Sequence, residues 1–322
     1  MSIASLTAAG LRSLAGGRNS PPAVIWFPAI VVGAALLLPL VYLVVRTFDA
    51  QDEVWDLLFR QRVAAILGRT ILLVVTVTGA SVILALPLAW LTTRTDLPFR
   101  RAWVVLSALP LVIPSYVAGF IVIAALGPRG MLQQALDRPF SIDRLPDIHG
   151  FAGAMLTLTF LSFPYVVLTV RAALLRIDPS LEESSRGLGH GGWATFFLVT
   201  LPLLRPGIAA GGLLVALYTL SDFGAVSLLR YETFTWAIFV QYESALDRTL
   251  GAGLSLSLVV LALAIVGLEV FSRGRARYYS SSTSASRPPS TVRLGRWRWP
   301  AMAFCAAVVA ISLAAPMSIL GY

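Results

Sequence analysis

Residues 71–93 read ILLVVTVTGASVILALPLAWLTT, a run of 23 positions without a charged side chain. A helix rises about 1.5 Å per residue, so about 20 apolar residues cross the hydrocarbon core of a bilayer. In lipid every backbone amide must be paired inside the segment, and the alternating pattern of a barrel strand is missing here. The run therefore predicts a transmembrane α-helix.

Six more apolar runs of comparable length lie along the chain. The seven predicted spans are 23–45, 71–93, 103–126, 151–170, 206–229, 252–271 and 300–320. Hydrophobic residues make up 57% of the 322 positions and charged residues 13%, about half the charged share of a soluble domain. These observations predict an all-α polytopic membrane protein with about seven transmembrane helices and no sizeable water-soluble domain.

Arginines are divided unequally between the two sides of the predicted membrane. With the N-terminus inside, 16 of the 25 basic residues fall in segments 1–22, 94–102, 171–205 and 272–299, and the outer loops are nearly neutral. Cytoplasmic loops carry such an arginine excess, so we predict a cytoplasmic N-terminus and a cytoplasmic tail over 1–22. The net charge of +9 has this cause, and the basic residues form no aromatic-basic stripe for nucleic acid.

Segment 272–299 is rich in serine, proline and arginine and contains no acid. Such a composition cannot bury enough apolar surface to fold, so it predicts a disordered, basic cytoplasmic linker. The linker leads into segment 300–322, which contains the seventh predicted helix.

The loop between the fourth and fifth spans predicts a short cytoplasmic helix. Asp178 and Ser180 flank Pro179 at a plausible helix start, and acidic residues follow in the first turn. Glycines between 187 and 192 then end or bend the helix. An exposed helix of this kind suits docking onto another protein, and an amphipathic helix lying at the lipid headgroups fits the same pattern.

The same loop resembles the EAA loop of bacterial ABC importer permeases. That family's pattern is Glu-Ala-Ala, three residues, Gly, nine residues, then Ile-x-Leu-Pro, and all of its spacings are kept here. The matching residues are Glu183, Ser184, Ser185, Gly189, Val199, Leu201 and Pro202. Serines replace the two alanines and valine replaces isoleucine, so small and β-branched residues are retained.

The resemblance implies a type I ABC importer permease fold. Its core would cover about 69–271, with 23–45 as an additional first helix, so that 23–271 forms one permease half. The loop at 178–206 would carry a coupling helix that docks into a separate ATPase subunit, with Glu183 facing basic groups there. Two ATPase copies would bind ATP and Mg²⁺, and this chain would hold no cofactor and catalyse no reaction. A periplasmic or lipid-anchored binding protein would deliver solute at the bacterial inner membrane.

Residues 220–229, LSDFGAVSLL, and 231–235, YETFT, look like the ferric-iron permeases, whose members fuse two permease halves. The resemblance implies ferric iron as solute; thiamine, phosphonate, polyamine and sulfate permeases are relatives and remain alternatives, as does a secondary transporter. It also implies that 300–322 begins a second half. We therefore expect a truncated copy or fragment of a longer protein, or else a homodimer in which each chain supplies one half.

Four residues within the predicted spans are candidates for the translocation path. Asp222 is predicted inside the fifth span, where an acid costs about 2.5–3.5 kcal/mol and is either a path residue or hydrogen-bonded to a helix terminus. Pro110 and Pro114 are predicted to interrupt the third span and Pro164 the fourth. Broken helices commonly line a path, although proline is also tolerated for packing alone.

No motif for metal binding or catalysis is found. Cys305 is the single cysteine, and His149 and His190 are predicted on opposite sides of the membrane. HExxH, CxxC, nucleophile-elbow and phosphate-loop patterns are missing, and the chain contains no lysine. A membrane protease or transferase is thus an alternative without a supporting motif.

Overall fold

The computed structural model describes residues 23–49, 61–128, 130–131, 133, 146–243, 248–273 and 291–321. The predicted tail 1–22 and positions 274–290 of the predicted linker lie outside these ranges. In chain order the helices are α1 (Ala23–Asp49), α2 (Gln61–Arg94), α3 (Arg100–Ala108), α4 (Ser115–Leu126), α5 (Phe151–Arg176), α6 (Pro179–Gly187), α7 (Gly192–Ser221), α8 (Gly224–Leu228), α9 (Phe234–Glu243), α10 (Arg248–Arg273) and α11 (Arg298–Val309). Helix α11 continues through a π-helical turn, Ala310–Ala314, into Ala315–Gly321.

Six of these helices are long and apolar enough to cross a membrane, namely α1, α2, α5, α7, α10 and α11. Helices α3 and α4 together meet the same criteria but are bent by 99° at a short break. Counted as one broken span, they bring the described part of the chain to seven. The predicted all-α polytopic fold is therefore confirmed.

The third predicted span, 103–126, is not a single helix. A 3₁₀ turn at Leu109–Val112 contains Pro110, and Pro114 caps the start of α4 in an extended conformation. Proline removes an amide donor and clashes with the preceding turn, so two prolines four positions apart stop the helix and allow the bend. Pro164 has a different outcome. It lies inside the continuous helix α5, so the prediction that it interrupts the fourth span is wrong.

The fifth predicted span, 206–229, is displaced along the chain. Helix α7 begins at Gly192 and ends at Ser221, so Asp222 follows the helix and does not lie inside it. The first turns of α7 include a π-helical turn at Phe196–Thr200. The predicted start was too late because Arg205 interrupts the apolar run, so that residues 193–204 were assigned to the loop that returns from α6.

The hydrophobic core joins α2, α5, α7 and α11. Helix α5 is central, with Leu158, Phe163 and Val166 fully buried. Helix α11 contributes Cys305 and Val308 to the same core, and it runs alongside α3 and α4. The seventh span therefore packs directly onto the helices that precede the linker.

Three loops predicted to be cytoplasmic meet at one end of the helices. The Arg94 side chain reaches the α5 terminus, and Val292 forms an isolated parallel β-bridge with Thr95. The Val292 amide donates to the Arg94 carbonyl at 2.8 Å, and the Leu294 amide donates to the Asp96 carboxylate at 2.9 Å. The prediction of disorder over 272–299 is thus wrong for positions 272 and 273, which end α10, and for positions 291–299, where backbone pairing with the 94–96 loop supplies the order that composition does not.

Candidate coupling site

Helix α6 has a defined start and a defined end. The Asp178 side chain accepts a hydrogen bond from the Ser180 amide at 2.9 Å, and Pro179 occupies the first turn, where a missing amide donor is harmless. Beyond the last turn Gly189 has φ +89°, a conformation that side-chain-bearing residues rarely adopt. The predicted short helix and its glycine bend are both present.

The two glutamates at the centre of α6 face opposite ways. Glu183 and Ser184 are exposed, whereas Glu182 and Ser185 are buried against the rest of the protein. Two large apolar side chains, Leu188 (80% exposed) and Trp193 (79% exposed), flank the glycine bend in the sequence. The loop thus presents an exposed carboxylate and apolar surface that the described part of the chain does not cover.

The inward face of α6 is held by a buried polar cluster. Glu182 Oε1 accepts a hydrogen bond from Thr200 Oγ1 at 2.9 Å and lies 3.7 Å from Arg94 Nη2. The same Nη2 donates to the Leu174 carbonyl at 3.0 Å. Arg94 is 2% exposed, so its charge is balanced inside the protein by Glu182. The Glu182 carboxylate therefore connects α6 to the end of α2 and to the π-helical turn of α7, and Arg94 extends this cluster to the end of α5.

Ser185 adds a second link from α6 to α7. Its hydroxyl lies 3.2 Å from Thr195 Oγ1 and 3.2 Å from His190 Nδ1. A cavity of about 30 Å³ lies beside the cluster, lined by Trp90, Arg94, Glu182, Arg186 and Val292 among others. That volume can hold a water molecule, and Arg94 Nε and Nη1 have no partner among the described residues.

The second part of the motif lies where α7 leaves the loop. Val199 is half-buried within the π-helical turn, and Leu201 and Pro202 begin the regular α-helix that follows. Single π-helical turns are frequent at functional sites. All seven motif residues are therefore brought into one loop at one end of the helices.

Asp222 lies at the other end of α7. Its carboxylate accepts hydrogen bonds from the amides of Ala225 at 3.0 Å and Val226 at 3.4 Å, and so caps the short helix α8. A Cβ at Gly224 would lie 2.5 Å from Ser115 Oγ, because α8 presses against the start of α4. This geometry matches the expectation of a hydrogen bond to a helix terminus. A role in the path stays a prediction, as it does for Pro110, Pro114 and Pro164.

The sequence did not reveal Arg94, Glu182 or Thr200. Arg94 closes a long apolar run and looked like an ordinary topology signal, and Glu182 stands beside the motif glutamate. Their pairing joins loops far apart in sequence, and a single sequence carries no record of such contacts. Among the described residues, no group of three histidine, cysteine, aspartate or glutamate side chains could hold a metal ion.

Comparison with known proteins identifies similar chains. The family model described as "Binding-protein-dependent transport system inner membrane component" matches residues 81–278, more than half of the chain. The Fe(3+)-transport system permease protein FbpB 2 of Haemophilus influenzae is 34% identical over 305 residues, covering 94% of this chain and 56% of that protein. The chain thus spans about half the length of that relative.

The molybdenum transport system permease protein ModB of Escherichia coli is 35% identical over 161 residues, covering 49% of this chain and 69% of that protein. Among solved structures, a bacterial ABC transporter involved in the import of the acidic polysaccharide alginate has a chain with a TM-score of 0.60 at 17% identity. The match covers 80% of this chain and 96% of that one, which shows a shared fold.

Proposed function

Since the chain belongs to the family of binding-protein-dependent transport system inner membrane components, the permeases of ABC importers, we propose that it carries ferric iron across the bacterial inner membrane. A periplasmic or lipid-anchored binding protein delivers the solute. Two copies of a separate ATPase subunit bind ATP and Mg²⁺ and drive transport. A second permease half, fused to this one or supplied by a second copy, completes the path.

The proposal of ATPase coupling rests on the difference between the two faces of α6, one buried and the other exposed. Glu182 is buried and, together with Arg94, fixes the helix to three other elements, while Glu183 remains exposed one position further along. A helix fixed on one face and free on the other can transmit the movement of a docked subunit to α2, α5 and α7. An interfacial helix lying at the headgroups would need no such anchoring.

Glu183→Lys tests this coupling. We expect normal insertion and at least tenfold weaker co-purification of the ATPase, because a lysine would face the basic groups that the glutamate contacts there. The full chain is tagged and expressed with the neighbouring genes of its locus, and the bound ATPase is quantified. Glu243→Lys, an exposed charge reversal on the predicted outer side, is the matched control. Equal ATPase recovery from both variants would refute the coupling assignment.

The ferric assignment is supported by the similarity to FbpB 2, which extends over 94% of this chain. The match to ModB favours molybdate as the second candidate, although it covers only 49%. Uptake of radioactive iron, molybdate and sulfate by cells expressing the complete system separates these solutes. We expect energy-dependent iron uptake that excess molybdate does not reduce. Uptake of molybdate or sulfate instead would overturn the ferric assignment.

A further inference from the structure

Two membrane helices enter the bilayer side by side at the predicted cytoplasmic end, α3 and α11. The Thr95–Val292 bridge ties together the loops that lead into them, and it is parallel. Helix α11 then packs against α3, and its last segment packs against α4. The two helix starts therefore lie next to each other at one end of the protein.

Both helix starts are basic and exposed. Arg100 and Arg101 open α3, and Arg296 and Arg298 stand at the start of α11, all with exposed side chains. None of the four takes part in an ion pair within the described part of the chain. The nearby acid, Asp96, accepts a hydrogen bond from the Leu294 amide. Positive charge is further concentrated here because the N-termini of both helices point to this end.

Exposed tryptophans accompany these arginines. Trp297 is 65% exposed and Trp299 is 74% exposed, and each stands next to Arg298 in the sequence. Tryptophan concentrates at the membrane–water interface, where its ring lies at the level of the headgroups. Indoles at that level would bring the neighbouring arginines to the depth of the phosphates.

We propose that Arg100, Arg101, Arg296, Trp297, Arg298 and Trp299 form a binding surface for the headgroups of anionic phospholipids in the cytoplasmic leaflet. Guanidinium groups pair with phosphate through paired hydrogen bonds, and the tryptophans pack beside the upper acyl chains. Arginines that act only as topology signals would need neither the pairing of two helix starts nor the tryptophans. The proposal depends on the membrane orientation and not on the transported solute.

Native mass spectrometry of the purified full chain tests the proposal. The detergent-solubilised chain is mixed with equal amounts of phosphatidylglycerol and phosphatidylcholine. The detergent is removed in the spectrometer, and the molecules of each lipid that stay bound are counted. We expect phosphatidylglycerol to be preferred at least about 25-fold. Arg296→Gln/Arg298→Gln should weaken its binding roughly 25-fold, about fivefold for each arginine near an anionic headgroup.

Two further variants separate a lipid site from a loss of charge or of folding. Arg176→Gln/Arg205→Gln removes the same charge from exposed arginines on the same side and should keep the preference. Arg296→Lys/Arg298→Lys preserves the charge that directs insertion and should keep most of the binding. Equal binding of the two lipids by the unmodified chain would overturn the proposal. So would an equal loss in both glutamine variants, or selective binding of an acidic protein partner in place of lipid.

Discussion

Removing the charge of Glu182 should destabilise the protein by about 3 kcal/mol. At an effective dielectric constant of about 20, unit charges 3.7 Å apart attract by about 4.5 kcal/mol. Loss of one partner from a buried pair typically costs about 3–5 kcal/mol, because the other charge remains without compensation. Glu182→Gln keeps the side-chain shape and an oxygen for Thr200, so we take the lower end of that range.

The free energy of unfolding is measured by titrating the full chain from dodecyl maltoside into sodium dodecyl sulfate, with helix content as the signal. Glu183→Gln is the matched control, since the same change one position along affects an exposed carboxylate and should stay within about 0.5 kcal/mol. A double variant, Arg94→Met/Glu182→Leu, removes both charges and should lie within about 1 kcal/mol of the original chain. The protein is thus expected to be more stable with both charges, or with neither, than with only one of them.

Two results would refute this reasoning. One is a loss below about 1 kcal/mol for Glu182→Gln, which would mean that water already screens the pair. The other is a destabilisation of Arg94→Met/Glu182→Leu equal to the sum of those of Arg94→Met and Glu182→Leu made singly, since contacting charges should show a coupling energy.

Three further predictions concern other parts of the fold. With the native cysteine removed, a cysteine at Ser180 should resist an impermeant thiol reagent in intact cells and one at His149 should react; the reverse labelling would overturn the topology. Gly189→Ala should cost about 1–2 kcal/mol by the same titration, because φ is +89° there, and an unchanged midpoint would contradict it. Gly224→Ala should lower stability measurably because its Cβ would lie 2.5 Å from a hydroxyl oxygen, whereas Gly79→Ala, in open space, should not.

The spans were predictable because lipid leaves a chain few options. Length and apolar composition suffice where each backbone amide must be paired within its own segment. Helix ends were less predictable, as the start of α7 shows. The apolar residues at 196–200 cannot be divided by composition between a span and a packed loop.

The candidate coupling site was predictable only in part. The spacing from Glu183 to Pro202 located the loop, because a motif is a local pattern. The contact between Arg94 and the loop could not be predicted from the sequence, since it depends on how the ends of α2 and α5 meet. The proline predictions show the same limit. Pro110 and Pro114 act together to break a helix, whereas Pro164 is accommodated within one, and residue type alone does not distinguish the two cases.

The packing of α11 means that the seventh span is held by more than its covalent connection. Cys305 and Val308 are buried in the same core as α2 and α5, and the Thr95–Val292 bridge secures the entry of the helix. A nick between positions 274 and 290 would break one peptide bond and none of these described contacts. The two pieces would behave as subunits of a heterodimer, so a gene split at this point could still yield an assembled protein.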